Sequence, residues 1–412
     1  MITYQEALRK ILEQVAPLPQ TRLKLDSLLG SFLSQPVIAK FALPRFDNSA
    51  VDGFGLLCSD LEGASAAKPA QLQLIGEVKA GSPDEFKLST GTALKILTGA
   101  RVPSSVEAVV MKEYCEEHYG FVHVSRSASP GDNIRRVGAE FKAGDQVLPA
   151  GVRVNPPVIG LLANFGYSSF TAHTKPRVAI VTTGDELIQP GHQLAQGQIY
   201  DSNSYALQAA LASLGIDEWF IHHARDTKKS TKQAFNFAME QADVIISSGG
   251  VSVGDHDYVK LTLEEMGVQT EFWRIAVKPG KPVYFGTLEQ PRRKQKKLIF
   301  GLPGNPVSVL VTFNEFVKPA LMKLMGNSDD QPKHLSAILT KSLRKQAGRL
   351  DLVRGVLNVN EKGQMIVHPT LGQESHMLSG LALADCLIHF NSELELLSEG
   401  SNVPVEILNW NG

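Results

Sequence analysis

Apolar positions at the start of the chain recur at helical spacing. Leu8, Ile11, Leu12 and Val15 follow a Thr3…Glu6 capping-box pattern, and Pro17 ends the run. A leucine-rich segment leads into PRFDNSAVDGFG (Pro44–Gly55), which is turn-rich and poor in helix formers. From about Gln71 to Arg126 the pattern changes to short alternating runs (LQLIGEV, ALKILTG, EAVVMKEY, FVHVSR) broken by Gly, Pro and Ser, which predicts a β-rich module.

Between Lys175 and Gly326 the pattern changes again. Short buried-type strands at Val178–Val181, Trp219–His222, Val244–Ser247 and Leu298–Leu302 alternate with helical patterns. One helix is predicted from about Ser202 to Leu214, with Gly215 as its stop, and others over Thr231–Gln241 and Val307–Met325. Strand–helix alternation with apolar strands predicts an open, mainly parallel α/β sheet. The run EQPRRKQKK joins two strands and reads as a solvated hairpin loop. Beyond His334, LNVNEKGQMIVHP reads as a hairpin and NVPVEIL as a last strand, so a small β domain is expected at that end. The fold class is therefore multidomain α/β plus β: a central open, mainly parallel α/β domain, a β-rich insertion in the N-terminal part and a small C-terminal β domain.

Composition narrows the function classes. At roughly 150 residues per domain, 412 residues leave room for about three domains. Hydrophobic residues make up 43% and charged residues 20%, which suits packed cores and not a disordered chain. With 41 Lys+Arg against 42 Asp+Glu, there is no basic excess of the kind a dedicated nucleic-acid binder carries. Cys58, Cys115 and Cys386 are scattered without a C-x-x-C, so a disulfide scaffold or structural zinc site is not expected and a reducing compartment fits. The uncharged stretch Val154–Thr174 is interrupted by Asn155, Pro156, Pro157 and Gly166, which argues against a membrane span. The first residues lack the charged and apolar regions of a signal peptide, and a cytoplasmic location is expected.

Three unusual loops each follow an apolar strand: TGDEL (Thr183–Leu187), SSGGVSVGDHDY (Ser247–Tyr258) and GLPGNPVS (Gly301–Ser308). In open parallel sheets ligands bind at the carboxyl ends of the strands, so the three loops predict one cleft. Gly249, Gly250 and Gly254 allow close backbone approach, while Ser247, Ser248 and Ser252 suit phosphate oxygens. The segment is neither a Walker A loop nor a dinucleotide fingerprint. Asp255 and Asp257 suit a hard cation bridging to phosphates, or cap the helix beginning at Tyr258. Asp185 and Glu186 add carboxylates in a tight turn. Lys278 and Lys281, around Pro279 and Gly280, could neutralise an oxyanion or remain solvated. In PGNP, Pro303, Gly304 and Pro306 set shape and Asn305 could donate to a ligand. Asp47, Asn48, Ser49 and Asp52 form a polar turn, and NIRRVG supplies Arg135 and Arg136 for an anion or for the surface. The eleven His residues show no metal-binding spacing, and His376 alone stands near a candidate motif.

FDNSAVDG, LTGA with a following VP, NIRR-x-G, TGDEL, YDSN, SSGGVSVGDHDY, KPGKP, GLPGNPVS and a late GQESH occur in one order along nearly the whole chain. This combination closely resembles the molybdopterin molybdenumtransferase family (MoeA, and the related E domain of gephyrin). The resemblance implies a homodimer with four domains per subunit: 1–45 with 139–175, 46–138, 176–327 and 328–412. In such proteins the cleft lies between the α/β domain of one chain and the N-terminal region of the other. It implies insertion of molybdate into adenylylated molybdopterin with release of AMP, assisted by Mg2+ or another divalent cation. Transient contact with other molybdenum-cofactor proteins is implied too, and no nucleic acid or membrane. By motif position, Asp52, Glu186, Asp257 and Lys281 are the catalytic candidates, with Glu186 and Asp257 toward the metal. Thr98, Asp185, Ser248, Gly249, Gly250, Ser252, Gly254, Lys278, Pro303, Asn305, Arg354 and Ser375 are the binding candidates. One position departs from the pattern: Ala139–Glu140 stands where the family often has Glu-Asp. Two other readings stay open, a non-enzymatic dimeric scaffold or cofactor carrier, and a molybdopterin adenylyltransferase.

Overall fold

A computed structural model describes residues 1–250, 258–290, 293–328 and 333–408. The chain forms two compact units. One comprises Met1–Gln35, Ala150–Gly160 and Tyr167–Gly412; the other comprises Pro36–Pro149 and Leu161–Gly166. Helix α1 (Tyr4–Glu13) opens the first unit. The Thr3 hydroxyl accepts from the Glu6 N–H at 3.2 Å, which satisfies one of the free donors of the first turn.

The second unit carries the β-rich module. Strands β1 (Gly53–Leu56), β2 (Ala70–Val78), β3 (Thr92–Ile96), β4 (Ala108–Met111), β5 (Cys115–His118) and β6 (Phe121–Val124) form one sheet in the order β4-β1-β3-β2-β6-β5. Alternation sends Phe54, Ala93, Val110 and Val122 to one buried face and Leu94, Ile96 and Val109 to the other. Gly53 is required where it stands: a Cβ there would come within 2.0 Å of the Val110 carbonyl oxygen.

Within the uncharged stretch the structure places a nine-residue helix, α2 (Pro156–Asn164), followed by a strand, Ser169–His173, paired with Gln20–Lys24. None of the described helices is long and apolar enough to cross a membrane.

The α/β sheet follows. Its elements are β7 (Val178–Thr183), α3 (Ser202–Ser213), β8 (Trp219–Ala224), α4 (Lys228–Gln241), β9 (Val244–Ser248), α5 (Tyr258–Glu265) and β10 (Gln269–Trp273). The short β11 (Val277–Lys278) leads to β12 (Tyr284–Gln290) and β13 (Arg293–Leu302). The order is β8-β7-β9-β13-β12-β10; the first four strands are parallel and the last two pairings antiparallel. Both faces are covered, so the strands read as continuous apolar runs. Val178, Ile180, Val244, Ile246, Leu298 and Phe300 join the core beneath α3, while Ala179, Val181, Ile245 and Ile299 join the core beneath α4 and α5.

The basic run is not a solvated loop. β12 extends to Gln290 and β13 begins at Arg293, so the residues from Arg293 onward are strand, antiparallel to β12. Lys297 is buried and donates to the Ala242 carbonyl at 2.5 Å, Gln295 donates to the Pro17 carbonyl, and Lys296 pairs with Glu289 and donates to Gln14. A charge run read as solvated thus ties the sheet to the segment after α1.

The helix expected over Val307–Met325 is α6 (Pro306–Thr312), a π turn at Phe313–Val317 and α7 (Lys318–Leu324). The inserted π turn packs Phe313, Phe316 and Val317 into the main core. It also carries Asn314 and Glu315, both buried, toward Tyr4 and Glu406. Burial, reinforced by Glu406, holds the Glu315 carboxyl above the ordinary range.

Strands β14 (His334–Leu339), β15 (Leu350–Val359), β16 (Met365–Pro369), β17 (Cys386–Phe390) and β18 (Asn402–Ile407) make the last sheet. The pairings β15–β16, β16–β14, β14–β18, β18–β17 and β17–β15 close the strand order on itself, with only a short β14–β16 contact, Ile338 and Leu339 beside Ile366 and Val367. β11 adds to the outside of β15, pairing Lys278 with Asp351.

Phe316 touches Tyr4 at 5.5 Å between ring centroids and is fully buried. Phe316→Ala should cost about 3–5 kcal/mol, and Thr3→Ala about 1 kcal/mol. Urea unfolding followed by circular dichroism should order the midpoints as wild type, Thr3→Ala, then Phe316→Ala.

Candidate functional site

Strand order locates the site before any side chain is considered. From β7 the chain moves outward to β8, then returns past β7 to β9 on its other side. The reversal opens a crevice at the carboxyl ends of β7 and β9, the usual ligand position in such sheets. A cleft of about 590 Å³ lies there, lined by Thr183, Glu186, Asn203, Ser248, Gly250 and Asn305 among others. In register, Thr182 pairs with Ser248 and Ser248 with Leu302, so all three loops leave the sheet at one height.

Local chemistry shapes each wall. Gly249 and Gly250 have φ of +90° and +67°, and Cβ atoms there would meet Thr183 Oγ1 at 2.9 Å and Val259 Cγ2 at 2.6 Å. The Gly249 N–H donates to the Leu302 carbonyl at 3.1 Å, tying two of the loops together. Asp201 caps α3 by accepting from the Ser204 N–H at 3.0 Å, which directs the first turn of that helix, Ser202 and Asn203, into the cleft. Tyr258, at the start of α5, is also in the wall. Helix N-termini favour anions through their free N–H groups and dipole.

Asn203 joins the walls. Its Nδ2 donates to Ser248 Oγ at 2.9 Å and to the Gly304 carbonyl at 2.7 Å, while its Oδ1 is buried with no partner among the described residues. Glu186 is exposed in the cleft and its carboxylate makes no hydrogen bond or ion pair among the described residues, while its backbone carbonyl accepts from the Ile199 N–H at 2.9 Å. Asp226, at the end of β8, also lines the wall, and its N–H and carboxylate exchange hydrogen bonds with Asp185 at 3.4 and 3.2 Å. These carboxylate oxygens are the hard donors that Mg2+ prefers, and Glu186 is free to accept it.

The structure therefore brings together Glu186, Ser248, Gly249, Gly250 and Asn305, with Asp185 beside them through Asp226. Pro303 is buried at the turn after β13. Ser252, Gly254, Asp255 and Asp257 lie outside the described residues. Asn305 Nδ2 donates to Ser375 Oγ at 2.8 Å, and the Val307 N–H donates to the Ser375 carbonyl, so the GQESH loop abuts the cleft and His376 lines it. Arg354 is almost wholly buried and its Nη2 donates to the carbonyls of Gly372 and Glu374 at 2.7 and 3.3 Å. It fixes the loop that carries Ser375, and its Nε is buried without a partner among the described residues. Lys278 and Lys281 are exposed outside the described cleft lining, with Lys278 Nζ 3.9 Å from Asp351.

Asp52 and Thr98 meet in the second unit. One Asp52 carboxylate oxygen accepts from both the Thr98 N–H, at 2.8 Å, and its hydroxyl, at 2.7 Å. The Thr98 hydrogen bonds, with Lys112 3.7 Å from the other oxygen, hold the Asp52 carboxyl below its ordinary value. Nearby in sequence, Asp47 accepts from the Val137 N–H at 2.8 Å and from Arg136 at 2.7 Å, and its carboxyl is lowered for those reasons, chiefly the backbone bond. Arg136 is thus spent on Asp47, and the strand pairing Asn48↔Arg135 brings the DNSAVDG and NIRR motifs together. Glu140 is exposed.

Sequence reasoning missed Asn203, Asp201, Asp226 and Lys112. The first two lie in the quoted YDSN motif, and Asp226 could have been found as an acid just beyond a strand of the same sheet.

Family models cover most of the chain: MoeA N-terminal region (domain I and II) at residues 2–166, a probable molybdopterin binding domain at 179–323, and MoeA C-terminal region (domain IV) at 336–408. The chain is 38% identical to a molybdopterin molybdenumtransferase of Haemophilus influenzae over 412 residues, 99% of each protein. The chain belongs to the molybdopterin molybdenumtransferase (MoeA) family. It is also 34% identical to molybdopterin molybdenumtransferase 2 of Mycobacterium tuberculosis, over 98% of this chain and 99% of that one. A crystal structure of a molybdopterin biosynthesis MoeA protein from Pyrococcus horikoshii OT3 superposes with a TM-score of 0.80 at 28% identity, covering 99% of this chain and 100% of that one. As a MoeA-family member the chain is a transferase of molybdenum cofactor biosynthesis, with the mixed α/β fold and small C-terminal β domain expected from its pattern.

The lowered carboxyls give a pH signature. A group depressed in the folded state contributes stability above its unfolded value, near pH 4, and loses it as pH falls through the folded value. Asp47→Asn and Thr98→Val should each lower the thermal midpoint at neutral pH and flatten its further decline on acidification. Scanning calorimetry at about pH 7 and about pH 3 checks the slope.

Proposed function

We propose that this protein inserts molybdenum, delivered as molybdate, into the dithiolene of adenylylated molybdopterin and releases AMP. The observation that carries this reading is the cleft at the strand reversal, where an unpaired carboxylate, a glycine turn and helix first turns meet. Anionic phosphate groups would lie against Gly250 and the first turn of α3, with N–H groups replacing water. Asn203 would present its free Oδ1 to a donor on the ligand. Glu186, with Asp226 beside it and Asp257 as a further candidate, would hold a divalent cation such as Mg2+. When bound, that ion supplies charge neutralisation at the phosphate bridge. The sulfur ligands belong to the pterin, so three scattered, free cysteines are no obstacle.

Asp52, paired with Thr98, and Lys281 with Lys278 are proposed to act on the same substrate, the lysines toward molybdate. Arg354 and Ser375 are proposed to support that end. Ser252 and Gly254, outside the described residues, remain candidates for the same phosphate groups in this proposal. A homodimer of four-domain subunits, a cytoplasmic location and transient transfer to other molybdenum-cofactor proteins complete the reading.

Purified protein given adenylylated molybdopterin should release AMP only when molybdate and a divalent cation are both present, and chelation should stop release until Mg2+ is restored. Glu186→Ala and Asn203→Ala should each slow release at least about 10-fold, or about 1.4 kcal/mol of transition-state stabilisation. AMP release by a folded wild-type protein that ignores molybdate would sink the proposal. Adenylylation of unmodified molybdopterin from ATP by this chain alone would favour the adenylyltransferase instead.

A further inference from the structure

Three potential metal ligands converge on one face of the closed C-terminal barrel, within the first unit and apart from the strand-reversal cleft. His334 and Glu406 are direct cross-strand partners on β14 and β18, and His389 lies on β17, the strand on the other side of β18. One ligand atom from each residue can be chosen so that all lie within 4.8 Å of one another. His389 Nε2 is 3.2 Å from Glu406 Oε2, and the two imidazole rings meet edge-on with centroids 4.3 Å apart. We infer that His334, His389 and Glu406 form a binding site for a zinc-class divalent ion.

The geometry carries this in three respects. First, tetrahedral zinc with bonds of about 2.0–2.1 Å places its ligand atoms roughly 3.4 Å apart. The His389–Glu406 pair already has that spacing, and a ring nitrogen of His334, exposed at the head of its strand, lies within 4.8 Å of both. Secondly, the carboxylate is oriented from behind. Asn314 in the π turn donates to Glu406 Oε1 at 2.9 Å and accepts from Lys318 at 3.0 Å, which leaves Oε2 directed at the imidazoles. Outer partners of this kind are a regular part of metal sites. Thirdly, a cavity of about 230 Å³ borders the two histidines, with Thr3, Tyr4, Asn391 and Ser392 in its wall. It leaves room for a water or a small anion as fourth ligand.

Two imidazoles and one carboxylate are a borderline donor set, suited to Zn2+ and poorly suited to Mg2+. The site therefore would not compete with the oxygen-rich cleft for its cation. Its ligands come from three strands of the barrel, so the ion would pin the barrel where the π turn and α1 pack against it.

The test uses untagged full-length protein stripped with chelator. Titration with Zn2+ by calorimetry, and with Co2+ followed by visible absorption, should show one site that excess Mg2+ does not displace. Bound Co2+ should give the intense bands of a tetrahedral centre. His389→Ala and Glu406→Gln should abolish uptake, and the exposed His334→Ala, the variant least able to disturb folding, should weaken it at least 10-fold. Glu186→Ala in the cleft should leave uptake unchanged. Absence of stoichiometric uptake by the wild type, or uptake indifferent to His334→Ala in a folded protein, would overturn the assignment and leave a hydrogen-bonded cluster.

Discussion

Register among three parallel strands governs the cleft. Because Thr182, Ser248 and Leu302 stand side by side, the loops after β7, β9 and β13 start from a common level. A slip of one residue would turn every side chain to the opposite face, setting Val178, Ile180, Val244 and Ile246 against α4 and α5 and their neighbours against α3, in cores shaped for other side chains. The apolar packing on both faces forbids that slip. The positions of Glu186, Ser248, Gly250 and Asn305 follow from it, and so does the bridge by which Asn203 holds the Gly304 turn to Ser248.

A second layer of constraint comes from polar groups recruited over long sequence distances. Arg354 holds the carbonyls of Gly372 and Glu374, Ser375 then meets Asn305, and His376 reaches the cleft wall. The guanidinium is buried, and its backbone contacts offset part of the desolvation. In the other unit, Asp47 is answered by Arg136 and Asp52 by Thr98. Asp47 and Asp52 come from a motif read as a polar turn and Arg136 from one read as an anion binder, while Thr98 comes from the separate LTGA motif. Residues that read as candidates for ligand contact are, in these pairs, first of all contacts to one another.

Much of the architecture was legible in the pattern. Continuous apolar strands alternating with helical spacing indicated a parallel sheet because burial on both faces leaves no polar alternation. The capping of α1 by Thr3 and the stop at Gly215 were visible as local chemistry. The basic run after β12 was misread because charge suggests solvent. The structure instead pairs it as strand and uses Lys297 and Lys296 to reach Ala242, Glu289 and Gln14. The break of the last long helix into α6, a π turn and α7 was equally invisible, since the apolar spacing accommodates an extra residue.

Sequence by itself determined the fold class, the three cleft loops and the residue types at their tips, because those depend on local propensity, glycine conformation and periodic burial. It also sufficed to show kinship, since motif order is a linear property. Only the tertiary structure decided which groups are partners. Asn203 lies in a recognisable motif and Asp226 just beyond a strand, yet only the packing shows which groups they and Lys112 meet. His334, His389 and Glu406 stand far apart along the chain and become neighbours only because β14, β18 and β17 lie side by side when the barrel closes. Pairwise distance is set by packing between elements, and no spacing along one strand or helix encodes it.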